Sequence, residues 1–156
     1  MSSSGVIRNA SLHDLTQIMN LENRCFSGDL AYSRRQFRYL LTKAHRTFLI
    51  ETLNGAPRGF IIILYRKGTT VAGLETIDVD PAYQKQGIGL QLLKAAEEEM
   101  KRKGITKIRL EVSPGNRAAI ALYEKEGFKT LVRLKNYYYY DHKGSRDALR
   151  MIKELR

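Results

Sequence analysis

Residues 71–90 read VAGLETIDVDPAYQKQGIGL, a strand-like run that passes through a glycine-bearing loop into a helix. From Val71 to Val79 apolar and polar side chains largely alternate, the period of a half-buried strand. Beyond the loop the period changes. Leu92, Leu93, Ala96 and Met100 recur at helical spacing in a helix expected over Gly89–Lys103, and Gly104 supplies its stop. Lys107 to Val112 then alternates charged and aliphatic residues, a second half-covered strand. Strand, helix and strand in this order form a βαβ unit, so the two strands run parallel with a right-handed crossover.

The loop Gln84-Lys85-Gln86-Gly87-Ile88-Gly89-Leu90 sits where that helix begins. The first N–H groups of a helix have no partner within it, and its dipole puts partial positive charge there. Glycines at 87 and 89 let the backbone curl so that successive N–H groups converge, and Lys85 adds charge at the rim. Such a concavity suits a phosphate or pyrophosphate, although an ordinary tight loop accounts for the two glycines equally well. No Gly-Lys-Ser/Thr follows, which excludes a P-loop. A dinucleotide fingerprint needs a third glycine where Leu92 stands.

Outward from this unit, Val6–Arg8 reads as a short edge strand and Ser11, with Asp14 three residues on, as a helix start. Leu12, Leu15, Ile18, Met19 and Cys25 or Phe26 share one helical face, and Gly28-Asp29 break the helix. Ser33 and Gln36 cap a second helix carrying Phe37, Leu40 and Leu41. Thr47–Leu53, the turn Asn54-Gly55 and Arg58–Arg66 make a hairpin, which Lys67-Gly68 continues into Val71–Val79 as an antiparallel meander. Toward the end come a helix over Asn116–Glu126, stopped by Gly127, and a strand over Phe128–Lys135. Asp147–Lys153 fits a strand or a helix, since Ala148, Leu149, Ile152 and Leu155 also have helical spacing. The fold class is α+β: a mixed, mostly antiparallel sheet with a central parallel βαβ unit and helices on both faces. The 156 residues read as one domain.

The longest apolar run, Phe60–Tyr65, is far too short to span a bilayer, and no membrane association is expected. Met1–Gly5 lacks the features of a secretory signal, which points to the cytoplasm. The single cysteine, Cys25, excludes an internal disulfide framework, and three scattered histidines show no metal-ligand spacing, so no metal is expected. A formal net charge of +11 favours anionic partners such as a phosphorylated cofactor, nucleic acid or the ribosome.

Three ordered blocks make the chain similar to the GNAT superfamily of N-acetyltransferases. The first is Gln84–Gly89, which resembles that family's pyrophosphate loop. The second is Leu110-Glu111-Val112, Asn116, Ala119-Ile120-Ala121-Leu122-Tyr123 and Gly127-Phe128. The third is Lys135-Asn136-Tyr137-Tyr138, then Asp147-Ala148 and Met151. Order and spacing resemble ribosomal-protein-alanine N-acetyltransferases and N-terminal acetyltransferase catalytic subunits. The resemblance implies acetyl-CoA as cosubstrate and a protein or peptide N-terminus as acceptor.

It also implies roles for single residues. Glu111 is the general base and Glu75, on the preceding strand, its rival; each also fits an exposed strand position. Tyr123 is the acid that protonates the departing thiolate, or an aromatic packed beside Ile120. Ile77 and Val79 present backbone amides to the cosubstrate, with Asp78 between them at the same cofactor-binding stretch, which requires the parallel strands to splay. Residues 84–90 hold the pyrophosphate, and Asn116 bonds the pantetheine arm or caps its helix. Phe26, Leu30, Tyr137 and Tyr138 form the acceptor pocket. Four tyrosines at 137–140 also fit stacking on nucleic-acid bases or plain strand positions. The loop from Ser27 to Tyr32 departs from the Pro-Trp of the ribosomal-protein enzymes, so the acceptor is less defined than the chemistry. A lysine or small-amine acetyltransferase is the alternative within the chemistry. A basic RNA- or ribosome-binding module without turnover is the alternative outside it.

Overall fold

The computed structural model describes residues 5–26 and 28–156, with the Asp29 side chain left undescribed. Met1–Ser4, read above as carrying no signal, and Ser27, in the predicted acceptor loop, lie outside the described residues. Seven strands form one sheet: β1 (Val6–Asn9), β2 (Arg46–Leu53), β3 (Ala56–Tyr65), β4 (Val71–Val79), β5 (Lys107–Val112), β6 (Lys129–Leu134) and β7 (Ala148–Glu154). Their order across the sheet is β1-β2-β3-β4-β5-β7-β6. Every neighbouring pair is antiparallel except β4 and β5. The helices are α1 (Leu15–Cys25), α2 (Arg34–Thr42), α3 (Ile88–Arg102) and α4 (Arg117–Lys125). Among the described residues no helix is long and apolar enough to cross a membrane.

The strand period sorts the core into two layers. Leu49, Ile61, Ile63, Ala72, Leu74, Ile108 and Leu110 face α3, meeting Leu92, Leu93, Ala96 and Met100. Phe48, Ile50, Phe60 and Ile62 point the other way, onto Leu15, Ile18 and Leu21 of α1 and Phe37, Leu40 and Leu41 of α2. Phe60–Ile63 is apolar throughout because β3 is covered on both faces. Tyr32, Phe37, Phe48 and Phe60 form an aromatic cluster with ring centroids 5.4–6.5 Å apart.

Several expectations are refined. The apolar stripe of α1 starts at Leu15; Leu12 is 42% exposed, because Leu12–Asp14 is a separate 3₁₀ turn. Asn54 and Gly55 both take positive φ (51° and 81°), so the hairpin pairs from Ala56 rather than from Arg58. The alternative at the C-terminus resolves to strand. Its positions face β5 on one side and β6 on the other, so the apolar spacing serves a two-sided pairing.

Two bulges shape the site. Glu51 faces Gly59 and Thr52 faces Pro57, so Arg58 is the extra residue, and its guanidinium pairs with buried Glu51 (Nε to Oε1, 2.9 Å). Ile62 faces Thr76 while Ile63 faces Leu74, which makes Glu75 the extra residue of β4. Next to Arg58, Gly59 is close to both β4 and α3. A Cβ there would sit 2.8 Å from the Asp78 carbonyl oxygen and 3.1 Å from Ile88 Cγ2. Gly59→Ala is therefore expected to cost about 1–3 kcal/mol by overpacking, measured by urea unfolding.

Candidate active site

β4 and β5 pair over three residues only, Val71 to Gly73 against Lys107 to Arg109. Beyond that point β4 continues with β3 alone, and β5 with β7 alone. The bulge at Glu75 bends β4 at the place where pairing stops. The strands open toward their C-terminal ends, leaving the cleft side of β4 without a ladder partner.

A cavity of about 500 Å³ fills the opening. Leu74, Glu75, Thr76 and Ile77 form one wall, and Glu111, Val112, Ser113, Asn116 and Tyr123 the other. Phe26, Leu30 and Tyr32 close it from the α1–α2 connection, and Tyr137, Tyr138 and His142 from the β6–β7 connection. The cavity thus unites Glu75, Glu111, Tyr123, Ile77, Asn116, Phe26, Leu30, Tyr137 and Tyr138, all expected at the site from sequence.

Glu111 projects from β5 into an electrostatic frame. Arg150 Nε lies 2.8 Å and Arg109 Nε 3.4 Å from its Oε2, and the Tyr137 hydroxyl donates to Oε1 at 3.4 Å. Across the cleft, Glu75 Oε1 accepts from the Tyr32 hydroxyl. Burial, together with the Glu75 carboxylate, raises the Tyr32 phenol, which keeps it a donor.

Tyr123 comes from α4, where Asn116 Oδ1 accepts from the Ala119 N–H at 3.4 Å as the helix cap. Its ring packs on Phe128, with centroids 5.5 Å apart. It lines the cavity from this side. Burial pushes the phenol well above its ordinary value, so it carries its proton throughout the neutral range.

The residues expected to bind a pyrophosphate lie apart from this cavity: 84–87 are exposed, Ile88 is buried in the core, and Gly89 and Leu90 are half-buried. Lys85 and Gly87 have positive φ (64° and 83°), so the loop curls as an anion-binding nest does. The N–H of Gln91 is the first bonded back to Gly87, which leaves those of Ile88, Gly89 and Leu90 free of intrahelical partners. No acidic residue occupies this first turn. A Cβ on Gly89 would contact Val79, Ile77 and Leu122 at 3.6–3.9 Å, so helix and strand approach closely there. Gln86 is exposed, and Gln84 turns back instead, its Nε2 donating to the Val79 carbonyl at 3.3 Å.

The Asp78 side chain is 1% exposed, accepts from Thr76 Oγ1 on the same face of β4 and faces Glu22 of α1. Val79 lies beyond the cavity wall, its carbonyl also accepting from Cys25 Sγ at 3.3 Å.

A model of the acetyltransferase (GNAT) family matches residues 15–128. The chain belongs to this family. It is 46% identical over 125 residues to an Escherichia coli [ribosomal protein bS18]-alanine N-acetyltransferase, covering 80% of this chain and 81% of that one. The crystal structure of the Escherichia coli ribosomal-protein-S18-alanine N-acetyltransferase superposes with a TM-score of 0.86 at 31% identity, covering 97% and 94% of the two chains. A Thermoplasma acidophilum PaiA N-acetyltransferase, solved in complex with coenzyme A, superposes at 0.79 with 25% identity, covering 97% and 99%. The GNAT architecture expected from sequence is the one observed.

Sequence reasoning passed over Glu22, Cys25, Tyr32, Ser113, His142 and Lys143, which also line the cavity. Glu22 lies seven residues after Leu15, on the buried stripe of α1, and that placement was the available signal. His142 stacks on Tyr138 at 3.9 Å, and the Ser113 hydroxyl donates to the His142 carbonyl. These contacts clamp the β5–α4 connection onto the tyrosine loop. At the clamp a Cβ on Gly115 would lie 1.8 Å from the Lys143 carbonyl oxygen. Gly115→Ala therefore pries the two loops apart. The expected result is about tenfold faster amide exchange at Tyr138 and His142, with core strands unaffected, as read by NMR.

Proposed function

We propose that this GNAT enzyme acetylates the N-terminal α-amine of a protein, using acetyl-CoA. The observation that carries the reading is the meeting of Glu75, Glu111, Tyr123 and the Tyr137–Tyr138 pair in one cleft where β4 and β5 part. Similarity to enzymes named [ribosomal protein bS18]-alanine N-acetyltransferase supports the acceptor class. In this reading all of residues 1–156 serve one catalytic domain, acting in the cytoplasm where ribosomal substrates are made.

A peptide α-amine has a pKa of about 8 and reaches the site partly protonated. Glu111 takes that proton, directly or through a water, and Glu75 opposite holds the ammonium before the proton leaves. The amine nitrogen bonds to the acetyl carbon as the carbon–sulfur bond breaks. Tyr123, kept protonated by burial, gives its proton to the departing sulfur, and the second proton shed by the acetylated nitrogen restores the phenol, directly or through a water. The free edge of β4 at Ile77 supplies main-chain N–H groups to the thioester oxygen and the pantetheine arm. The nest at residues 84–90 and the first turn of α3 hold the pyrophosphate. Tyr137 and Tyr138, with Phe26 and Leu30, grip the first acceptor residues. The +11 net charge suits acceptors presented on or near the ribosome.

The test is acetyl transfer to peptides that differ in N-terminal residue, beside N-terminally blocked peptides containing lysine, read by mass spectrometry. Free N-termini alone are expected to react. Glu111→Gln and Tyr123→Phe are each expected to lower kcat by about 10²–10⁴ without loss of melting temperature. Reaction confined to the blocked lysine peptides would overturn the acceptor class and keep the chemistry. Binding to RNA with no transfer and no affinity for acetyl-CoA would overturn both.

A further inference from the structure

Glu22 of α1 and Asp78 of β4 are each 1% exposed and face one another beneath the cleft. No cation joins them; neighbouring Arg24 is engaged by Asp80, with Nε–Oδ2 at 3.0 Å. One oxygen of each carboxyl is accounted for. Thr76 Oγ1 donates to Asp78 Oδ1 at 2.7 Å, and the Tyr32 backbone N–H donates to Glu22 Oε2 at 2.8 Å. The other two, Asp78 Oδ2 and Glu22 Oε1, are buried without a partner among the described residues. Two adjacent ionised carboxylates repel strongly in a low-dielectric interior, and each orphaned oxygen adds a desolvation cost. One proton between the two orphans removes a charge and satisfies both.

We propose that Glu22 and Asp78 share a single proton, and that this proton is a positioning device for the acceptor side of the site. The hydrogen bonds then form a closed circuit. It runs from Thr76 to Asp78 on β4, across the shared proton to Glu22 on α1, and on to the main chain of Tyr32 in the α1–α2 connection. It returns to β4 where the Tyr32 hydroxyl donates to Glu75. Glu22 and Asp78 touch no reacting atom; they act through Tyr32, which forms the cavity wall and holds Glu75.

The circuit makes the acceptor wall sensitive to alkaline pH. The titratable and charged groups around the pair are Cys25 and Arg24 on α1, Tyr32 in the loop, Glu75 on β4, Asp80 just after it, and Tyr123 on α4. Burial and the surrounding carboxylates push the Cys25 thiol up to about 12, so it does not ionise first. Desolvation and the neighbouring Glu22 hold Asp78 protonated well above the usual carboxylate range. The unfolded chain therefore releases this proton at lower pH than the folded one. Stability falls as pH rises above about 3.9, until the folded pair also ionises.

Asp78→Asn tests the proposal, because the amide reproduces the hydrogen bond to Glu22 and cannot ionise. Its melting temperature relative to wild type is expected to match near about pH 4 and to gain several degrees by about pH 8. A difference independent of pH would overturn the shared proton. In the wild type, amide exchange at Tyr32, normalised to Ile62 in the core, is expected to accelerate about tenfold between neutral and alkaline pH. In Asp78→Asn that acceleration is expected to vanish. Equal behaviour of the two proteins would overturn the tie to the loop. In acetyl transfer, the acceptor KM is expected to rise with pH in the wild type and to stay flat in Asp78→Asn, with the acetyl-CoA KM the same in both. A parallel rise in both proteins would overturn the positioning role. Only this kinetic arm rests on the proposed acetylation; melting and exchange decide the shared proton even if no peptide is acetylated.

Discussion

The structure depends on a pairing that stops early. β4 and β5 are held together over three residues at their N-terminal ends, and the extra residue Glu75 bends β4 where the ladder ends. A fully paired sheet at this position would satisfy both edges and leave no room for a ligand. The opening exposes main-chain groups of β4 and aims Glu75 and Glu111 into one space. The cost of unpaired strand edges is offset elsewhere: β4 pairs with β3 on both sides of the bulge, β5 pairs with β7 along its whole length, and the apolar layers on both faces carry the packing.

The two faces of the sheet have different tasks. α3 and α4 cover one face and bring the anion-binding turn and Tyr123 to the edges of the opening. α1 and α2 cover the other face over β1–β4, and the connection between them supplies Phe26, Leu30 and Tyr32. The β6–β7 connection closes the third side. Asp147 anchors that connection, accepting from the Asn136 N–H at 2.9 Å and from Arg133 Nε at 3.0 Å. The Asn136 hydrogen bond, ahead of Arg133, keeps the Asp147 carboxyl below its usual range.

Charge is distributed against the average. A chain of net charge +11 lines its cleft with Glu22, Glu75 and Glu111. The cations nearest Glu111, Arg109 and Arg150, pair with it from β5 and β7. In the proposed reaction an incoming amine meets carboxylates, while the loop and helix start at residues 84–90 offer amides and Lys85 to phosphate. One molecule thus separates a cation-seeking centre from an anion-seeking rim. That separation is what a transfer between an ammonium and a polyphosphate-bearing thioester requires.

Local patterning in the chain determined most element types, the βαβ unit, the curl of the loop at Gly87, and the Asn54-Gly55 hairpin. Each of these follows from the period of nearby side chains or from the φ that a glycine permits. Glu111, Tyr123 and the tyrosine pair were legible through ordered motifs, and the cavity does hold them together. The tertiary structure alone decided three things: where β4 and β5 separate, which face Asp78 takes, and that Glu22 and Tyr32 belong to the cleft. A bulge shifts register by one residue, and its position depends on the partner strand. In the C-terminal segment, likewise, spacing suited both helix and strand, and the free edges of β5 and β6 chose strand. Hydrogen bonds between residues 43 and 56 positions apart, such as Tyr32 to Glu75 and Arg24 to Asp80, leave no periodic trace in the chain; only folding brings their ends together.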